Sequence, residues 1–180
     1  MPSNNGGSLF LVTTYTDNDV LAHIPTGSPG RGLYTYRLCV ETGALVPLEE
    51  YPVGPNPAFI LKHPSRNILY ATTECIDKDG EILTLEVSSN GKLNITDRQS
   101  ACGRSTCYLN FHKTENSEDE YISAVNYWDS KVATFPLEDG RLHNPCDIKQ
   151  LPGATYVTEK NPSREEHWSY RQRYSASLPP

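Results

Sequence analysis

A repeat of about 49 residues constrains this chain more than any other feature. Three segments read as copies of one unit: Leu33-Tyr34-Thr35-Tyr36-Arg37-Leu38, Ile82-Leu83-Thr84-Leu85-Glu86-Val87 and Val132-Ala133-Thr134-Phe135-Pro136-Leu137. Their central threonines, Thr35, Thr84 and Thr134, lie 49 and 50 residues apart. A turn with a glycine follows each copy, and Gly43, Gly91 and Gly140 are spaced by 48 and 49 residues. Repeats of this length built from short strands point to β-propeller blades, which run roughly 40–50 residues.

The repeat sets the expected strands. Ser8 to Thr14 reads as a strand, followed by a long loop from Asp17 to Gly32 that is rich in strand-breaking Gly, Pro, Asp and Asn. In the first repeat strand, alternation puts Tyr34, Tyr36 and Leu38 on one face. The same positions are Leu83, Leu85 and Val87 in the second copy and Ala133, Phe135 and Leu137 in the third. One apolar face common to all three is expected of strands stacked between neighbouring sheets. A second strand pair, Ala58–His63 with Ile68–Thr72, has its counterpart in Cys107–His112 with Tyr121–Val125. His63 and His112 are 49 residues apart at the strand-to-turn junction, where a backbone-bonding role is expected.

The predicted fold class is all-β: a partial β-propeller of about three four-stranded blades with an irregular C-terminal tail. Residues 1–7 read as a flexible lead, 8–150 as the propeller part and 151–180 as the tail, which is rich in Pro, Ser, Arg and Glu without an apolar period.

A net charge of −6 argues against a nucleic-acid or anionic-membrane partner, since both rely on clustered Lys and Arg. No apolar run approaches the ~20 residues that span a bilayer. The start, Met1-Pro2-Ser3-Asn4-Asn5-Gly6-Gly7, lacks a basic n-region, and Leu9-Phe10-Leu11-Val12 is too short for a signal sequence. The expected location is the cytoplasm. Five cysteines, an odd number at spacings that match no disulfide module, fit reduced thiols there. No metal-ligand spacing and no Gly-rich phosphate loop stand out, so no cofactor is expected.

Several stretches carry a family resemblance. They are Gly32-Leu-Tyr-Thr-Tyr-Arg-Leu38, Thr42-Gly-Ala-Leu45, Asn56-Pro57 before a strand ending in His63-Pro64, Leu69-Tyr-Ala-Thr-Thr-Glu74, Asn90-Gly-Lys-Leu93 and Val125-Asn126-Tyr127. Together, over roughly residues 8–150, the chain resembles the lactonase family of seven-bladed propellers. That family includes propeller-type 6-phosphogluconolactonases and carboxy-cis,cis-muconate cyclases. Its members are about twice as long, so the chain is expected to be a truncated product. Asn161-Pro162-Ser163-Arg164-Glu165-Glu166-His167 begins like a family segment that opens the next blade, and the residues from Trp168 on depart from it.

The resemblance implies metal-independent hydrolysis of a sugar-acid lactone such as 6-phosphogluconolactone. Such a reaction needs a base for water, donors for the oxyanion, and a cation for an anionic substrate. Propeller topology gathers the entry loops and the loops between second and third strands on one face. That face would carry Glu74 or His167 as the base, Arg104 and Arg164 as substrate-anion ligands, and Asn56, Asn126 and Tyr127 as further substrate contacts. His23, in the long first loop, is a weaker candidate for lining the same face. Ser105 lacks the turn context of a nucleophilic serine. Two other readings compete. One is a non-catalytic propeller fragment or protein-binding scaffold, because groups from around a whole ring are missing. The other is a muconate-cyclase-like activity. The expected partner is a small lactone or sugar acid, with self-association through open blade edges.

Overall fold

The computed structural model describes residues 7–22, 27–88 and 90–151. Among these residues, twelve strands form three antiparallel sheets. The first sheet contains β1 (Leu9–Thr13), β2 (Leu33–Leu38) and β3 (Leu45–Tyr51), in that order. The second contains β4 (Pro57–Lys62), β5 (Ile68–Thr73), β6 (Glu81–Val87) and β7 (Leu93–Ser100). In the third, β8 (Thr106–Lys113), β9 (Glu120–Asn126) and β10 (Lys131–Glu138) lie side by side, with β11 (Arg141–Leu142) and β12 (Asp147–Gln150) both paired to β10.

The repeat survives in detail. β2, β6 and β10 are equivalent strands, each next to the outermost one, with Thr35, Thr84 and Thr134 at the same position. β2 and β6 each carry a register shift beside that threonine. Gly43, Gly91 and Gly140 all have positive φ, between 72° and 86°, a conformation that costs a Cβ-bearing residue energy. The outermost strand of the third sheet breaks into β11 and β12 around Pro145, which has no N–H to offer the ladder.

Two features depart from the sequence expectation. The first sheet has three strands, not four: β1 is equivalent to β5 and β9, and among the described residues nothing occupies the innermost position that β4 and β8 fill. The apolar face shared by the three repeat strands is also not buried in all of them. Leu83, Leu85, Ala133 and Phe135 are fully buried, whereas Tyr34, Tyr36 and Leu38 are only half-buried. In β2 the opposite face, Leu33 and Thr35, packs inward instead.

Sheet order explains this. Leu33 joins Leu69, Ala71, Leu83 and Leu85 in the core between the first and second sheets. The other face of the second sheet, Tyr70 and Ile82, meets Ile122, Ala124, Ala133 and Phe135 between the second and third. Each interface thus joins a forward face to the next sheet's backward face. The Tyr34/Tyr36 face of the first sheet is a backward face, and among the described residues no sheet precedes it. Tyr70 Oη reinforces the second interface by donating to Gly140 O at 2.8 Å.

His63 plays the backbone-bonding role. It is fully buried, and its Nδ1 accepts from Ser65 N and Arg66 N, both at 3.2 Å. That leaves the proton on Nε2, 3.3 Å from Glu120 Oε2 across the sheet interface. His112 differs: it is exposed, and its ring contacts Asn110 Nδ2 rather than backbone.

Candidate functional site

The loops at one end of the strands converge as the repeat implies. Tyr15, Glu74 and Tyr127 are equivalent residues, each following the second strand position of its sheet. Asn56 and Ser105 are likewise equivalent, each just before an innermost strand. Both adopt left-handed backbone, with φ of 46° and 55°. This bend lets the Asn56 carbonyl accept Glu74 N at 2.9 Å and the Ser105 carbonyl accept Tyr127 N at 3.1 Å.

Glu74 is the hub of this end. It is 6% exposed. Tyr15 Oη, from the first sheet, donates to Glu74 Oε2 at 3.0 Å, and Ser105 Oγ, from the third, donates to Oε1 at 2.7 Å. The carboxylate therefore ties three sheets together through neutral hydroxyls, and among the described residues no cation pairs with it. Burial first, then the Glu74 charge and hydrogen bond, push the Tyr15 hydroxyl well above the ordinary tyrosine range.

The two asparagines are wholly buried and hydrogen-bonded on both the oxygen and the nitrogen of the amide. Asn56 Oδ1 accepts Thr16 N and Asp17 N, both at 2.8 Å, and its Nδ2 donates to Asp17 O and Glu74 O. Asn126 Nδ2 donates to Ala101 O at 2.8 Å, and its Oδ1 accepts from Thr106 Oγ1 at 2.7 Å. An amide nitrogen carries two N–H donors, so Asn56 has none left for a substrate, whereas Asn126 commits one of its two to Ala101 O. Gly103 is required beside Asn126, because a Cβ there would lie 2.7 Å from the Asn126 side chain. Both asparagines shape the site from behind.

Arg104 reaches the face but is already engaged. Its Nε and Nη2 both lie 2.8 Å from Asp129 Oδ1, its backbone N donates to Asp129 Oδ2 at 2.9 Å, and Nη1 donates to Ile76 O at 3.2 Å. Asp129 is buried and also draws Lys131 Nζ to 3.7 Å. Tyr127 is half-buried against the small cluster of Ala22, Trp128 and Ile76. His23, Arg164 and His167 lie outside the described residues.

The structure thus brings Glu74, Arg104 and Tyr127 to one end, with Asn56 and Asn126 behind them. Sequence reasoning missed Tyr15, Ser105 as a partner of Glu74, and Asp129. The repeat register would have found Tyr15, since it stands where Glu74 stands one copy later. Nothing local marks Asp129. Among the described residues no group of three or more His, Cys, Asp and Glu is placed to hold a metal ion, and no helix is long and apolar enough to cross a membrane.

Cys75, beside Glu74, offers a pH test. Burial pushes its thiol up to about 11 from the ordinary 9.0, with nearby Asp77 adding to the effect. The unfolded chain releases this proton first. The contribution is therefore complete below pH 9 and is lost as pH climbs through 11. Urea midpoints should fall over that window, and Cys75→Ala should flatten the fall. An unchanged slope in that variant would mean the thiol is not what titrates.

The chain matches the family described as lactonase, 7-bladed β-propeller, over residues 9–172. It is 28% identical over 122 residues to a 6-phosphogluconolactonase of Bacillus subtilis, covering 67% of this chain and 34% of that protein. A crystal structure from Bacteroides uniformis, described as a candidate 6-phosphogluconolactonase, superposes with a TM-score of 0.59 at 24% identity, over 79% of this chain and 37% of the other. A protein from Lactobacillus plantarum does so with a TM-score of 0.61 at 17% identity, over 81% and 38%. The chain therefore spans little more than a third of the length of these relatives. Repeat register, sheet order and the family match agree, and the chain belongs to the lactonase family of seven-bladed β-propellers.

Proposed function

We propose that this chain carries part of a lactone-hydrolysing site in which Glu74 is the general base. The observation that carries this reading is the Glu74 carboxylate itself, enclosed where three sheets meet and held only by hydroxyls. In the proposed reaction, water adds to the lactone carbonyl as Glu74 takes one of its protons. The bond from that carbon to the ring oxygen then breaks, and the ring oxygen receives the proton back from Glu74. Tyr15, whose one O–H is given to Glu74 Oε2, orients the carboxylate. The substrate class is a sugar-acid lactone such as 6-phosphogluconolactone, and the compartment is the cytoplasm. The same reading takes residues 8–150 as the propeller part, between a lead and a tail. His167, in that tail, remains the proposed alternative base, and Arg164 a proposed anion ligand.

One observation favours a second reading, a non-catalytic binding scaffold. The Arg104 fork is spent on Asp129, so it is not open to a substrate phosphate or carboxylate. The same obstacle weighs against a muconate-cyclase-like reaction, whose substrate carries a carboxylate.

Turnover of gluconolactone and of its 6-phosphate by the purified chain decides between the two. Glu74→Gln is expected to lower kcat by ~100-fold or more with little change in KM, the range for loss of a positioned base. Turnover that survives Glu74→Gln would remove Glu74 from the mechanism. A folded chain without turnover on either lactone would leave the scaffold reading.

A further inference from the structure

Position 105 differs from its repeat equivalent in what its side chain serves. Asn56, one copy earlier, turns its amide oxygen to the backbone N–H groups of Thr16 and Asp17, which follow Tyr15. Ser105 stands at the same point before β8, yet its hydroxyl donates to Glu74 Oε1 at 2.7 Å. An acceptor that ties a loop is thus replaced by a donor aimed at a carboxylate. Ser105 has no solvent exposure. Its N–H donates to Cys75 O at 2.7 Å, and its carbonyl accepts Tyr127 N at 3.1 Å. Its backbone is therefore pinned to the loops of both the second and the third sheet. Its chain neighbour Arg104 is held in turn by Asp129. The hydroxyl is presented to Glu74 from a fixed frame.

These contacts give the two carboxylate oxygens different surroundings. Oε1 faces the wholly buried Ser105. Oε2 faces the hydroxyl of Tyr15 at 3.0 Å, and Tyr15 is half-buried. The approach from solvent is on the Oε2 side. Each carboxylate oxygen has two lone pairs, so Oε2 keeps one after accepting from Tyr15. A donor on each oxygen fixes the rotation of the carboxyl group, as a positioned base requires. Hydrogen bonds to the ionised form also favour ionisation. The enclosure of Ser105 keeps its own Oγ away from a lactone carbonyl, so the hydroxyl acts through Glu74.

We propose that Ser105 is the positioning residue of the Glu74 base: its hydroxyl holds Oε1 in the interior, keeps the carboxyl group ionised and leaves Oε2 to take the proton from water. The inference rests on the reading of Glu74 as the base. In that reaction the water oxygen bonds to the lactone carbon while its proton goes to Oε2. The bond from that carbon to the ring oxygen then breaks, and the ring oxygen receives the proton from Oε2. Ser105 keeps its own proton throughout and touches neither water nor substrate.

Two measurements on the full chain test this, and the first needs no turnover. The ionisation of Glu74 is followed against pH by infrared spectroscopy, as the carboxyl band that Glu74→Gln lacks. Ser105→Ala is expected to move the midpoint up by about one to two pH units, the size of one lost hydrogen bond to a charged group. Serine and alanine both carry a Cβ, so the left-handed φ of 55° strains them alike. Ser105→Gly lacks the hydroxyl and relieves that strain, so it keeps the test valid should Ser105→Ala fail to fold. Ser105→Cys, a weaker donor, should fall between native and alanine. The second measurement is turnover of gluconolactone. Ser105→Ala should lower kcat about tenfold with KM unchanged, and the acid limb of its pH profile should rise with the infrared midpoint. A midpoint that stays in place without the hydroxyl overturns the proposal, whatever the turnover. A raised KM with kcat unchanged overturns it equally, since Ser105 would then serve substrate binding. Turnover that survives Glu74→Gln overturns the base reading instead, and a midpoint that still moves in Ser105→Ala tells that failure from the first.

Discussion

Phe135→Ala is expected to destabilise the fold by ~3–5 kcal/mol, the range for an aromatic ring removed from a packed core. Phe135 has no solvent exposure and belongs to the buried cluster between the second and third sheets. Its cross-strand partner is Ile122, and its near neighbours Ala124 and Ala133 are too short to fill the space. The loss is large beside the ~5–15 kcal/mol that holds a typical domain together. Urea unfolding at constant m-value is the measurement. The equivalent change in the first sheet, Tyr36→Ala, gives the contrast. With that face open, it should cost about 1 kcal/mol or less in the single chain. Equal costs at the two positions would mean that residues outside the described segments already cover the first sheet.

Asp129→Ala carries the next largest expected effect, a loss of ~3 kcal/mol. The carboxylate is 3% exposed and accepts from Arg104 Nε, Nη2 and backbone N, with Lys131 at its edge. Its removal strands a guanidinium that is itself only 20% exposed. Breaking one side of a buried pair costs ~3–5 kcal/mol, and the partial exposure of Arg104 moves the expectation to the lower end. Replacing both partners, as Arg104→Met with Asp129→Leu, should cost less than the sum of the single changes, because no charge is left stranded. Additive losses in that cycle would show that the two side chains act separately. The same variant bears on function. If the only obstacle to anion binding at this end is the grip of Asp129 on Arg104, Asp129→Ala should bind a sugar-acid phosphate more tightly than the native chain does.

The sequence made most of the architecture legible because strand alternation and turn glycines are local properties. β2, with its bounds Leu33–Leu38, could be read residue by residue, and so could the positive-φ glycines after it and its copies. The buried face of β2 could not. Its alternation puts Tyr34, Tyr36 and Leu38 on one side and Leu33, Thr35 and Arg37 on the other, and the buried side is the one that has a neighbouring sheet, although it is the more polar of the two. The candidate site was legible as a set of loops but not as a set of partners. Glu74 and Arg104 lie 30 residues apart in sequence and both reach the loop end, yet one meets only hydroxyls and the other a buried aspartate.

The sequence by itself determined the repeat, the all-β class, the family and the end of the strands where polar groups gather. Each follows from spacing along the chain, which fixes hydrogen-bonding direction and side-chain alternation without reference to neighbours. Only the tertiary structure decided that, among the described residues, the first sheet has no innermost strand and its Tyr34/Tyr36 face is half-buried. It alone also gave Arg104 to Asp129 and enclosed Glu74 between Tyr15 and Ser105. Those outcomes depend on groups 25 to 59 residues apart meeting across sheet boundaries. Such meetings are set by how blades stack, and no local pattern in the strands encodes them.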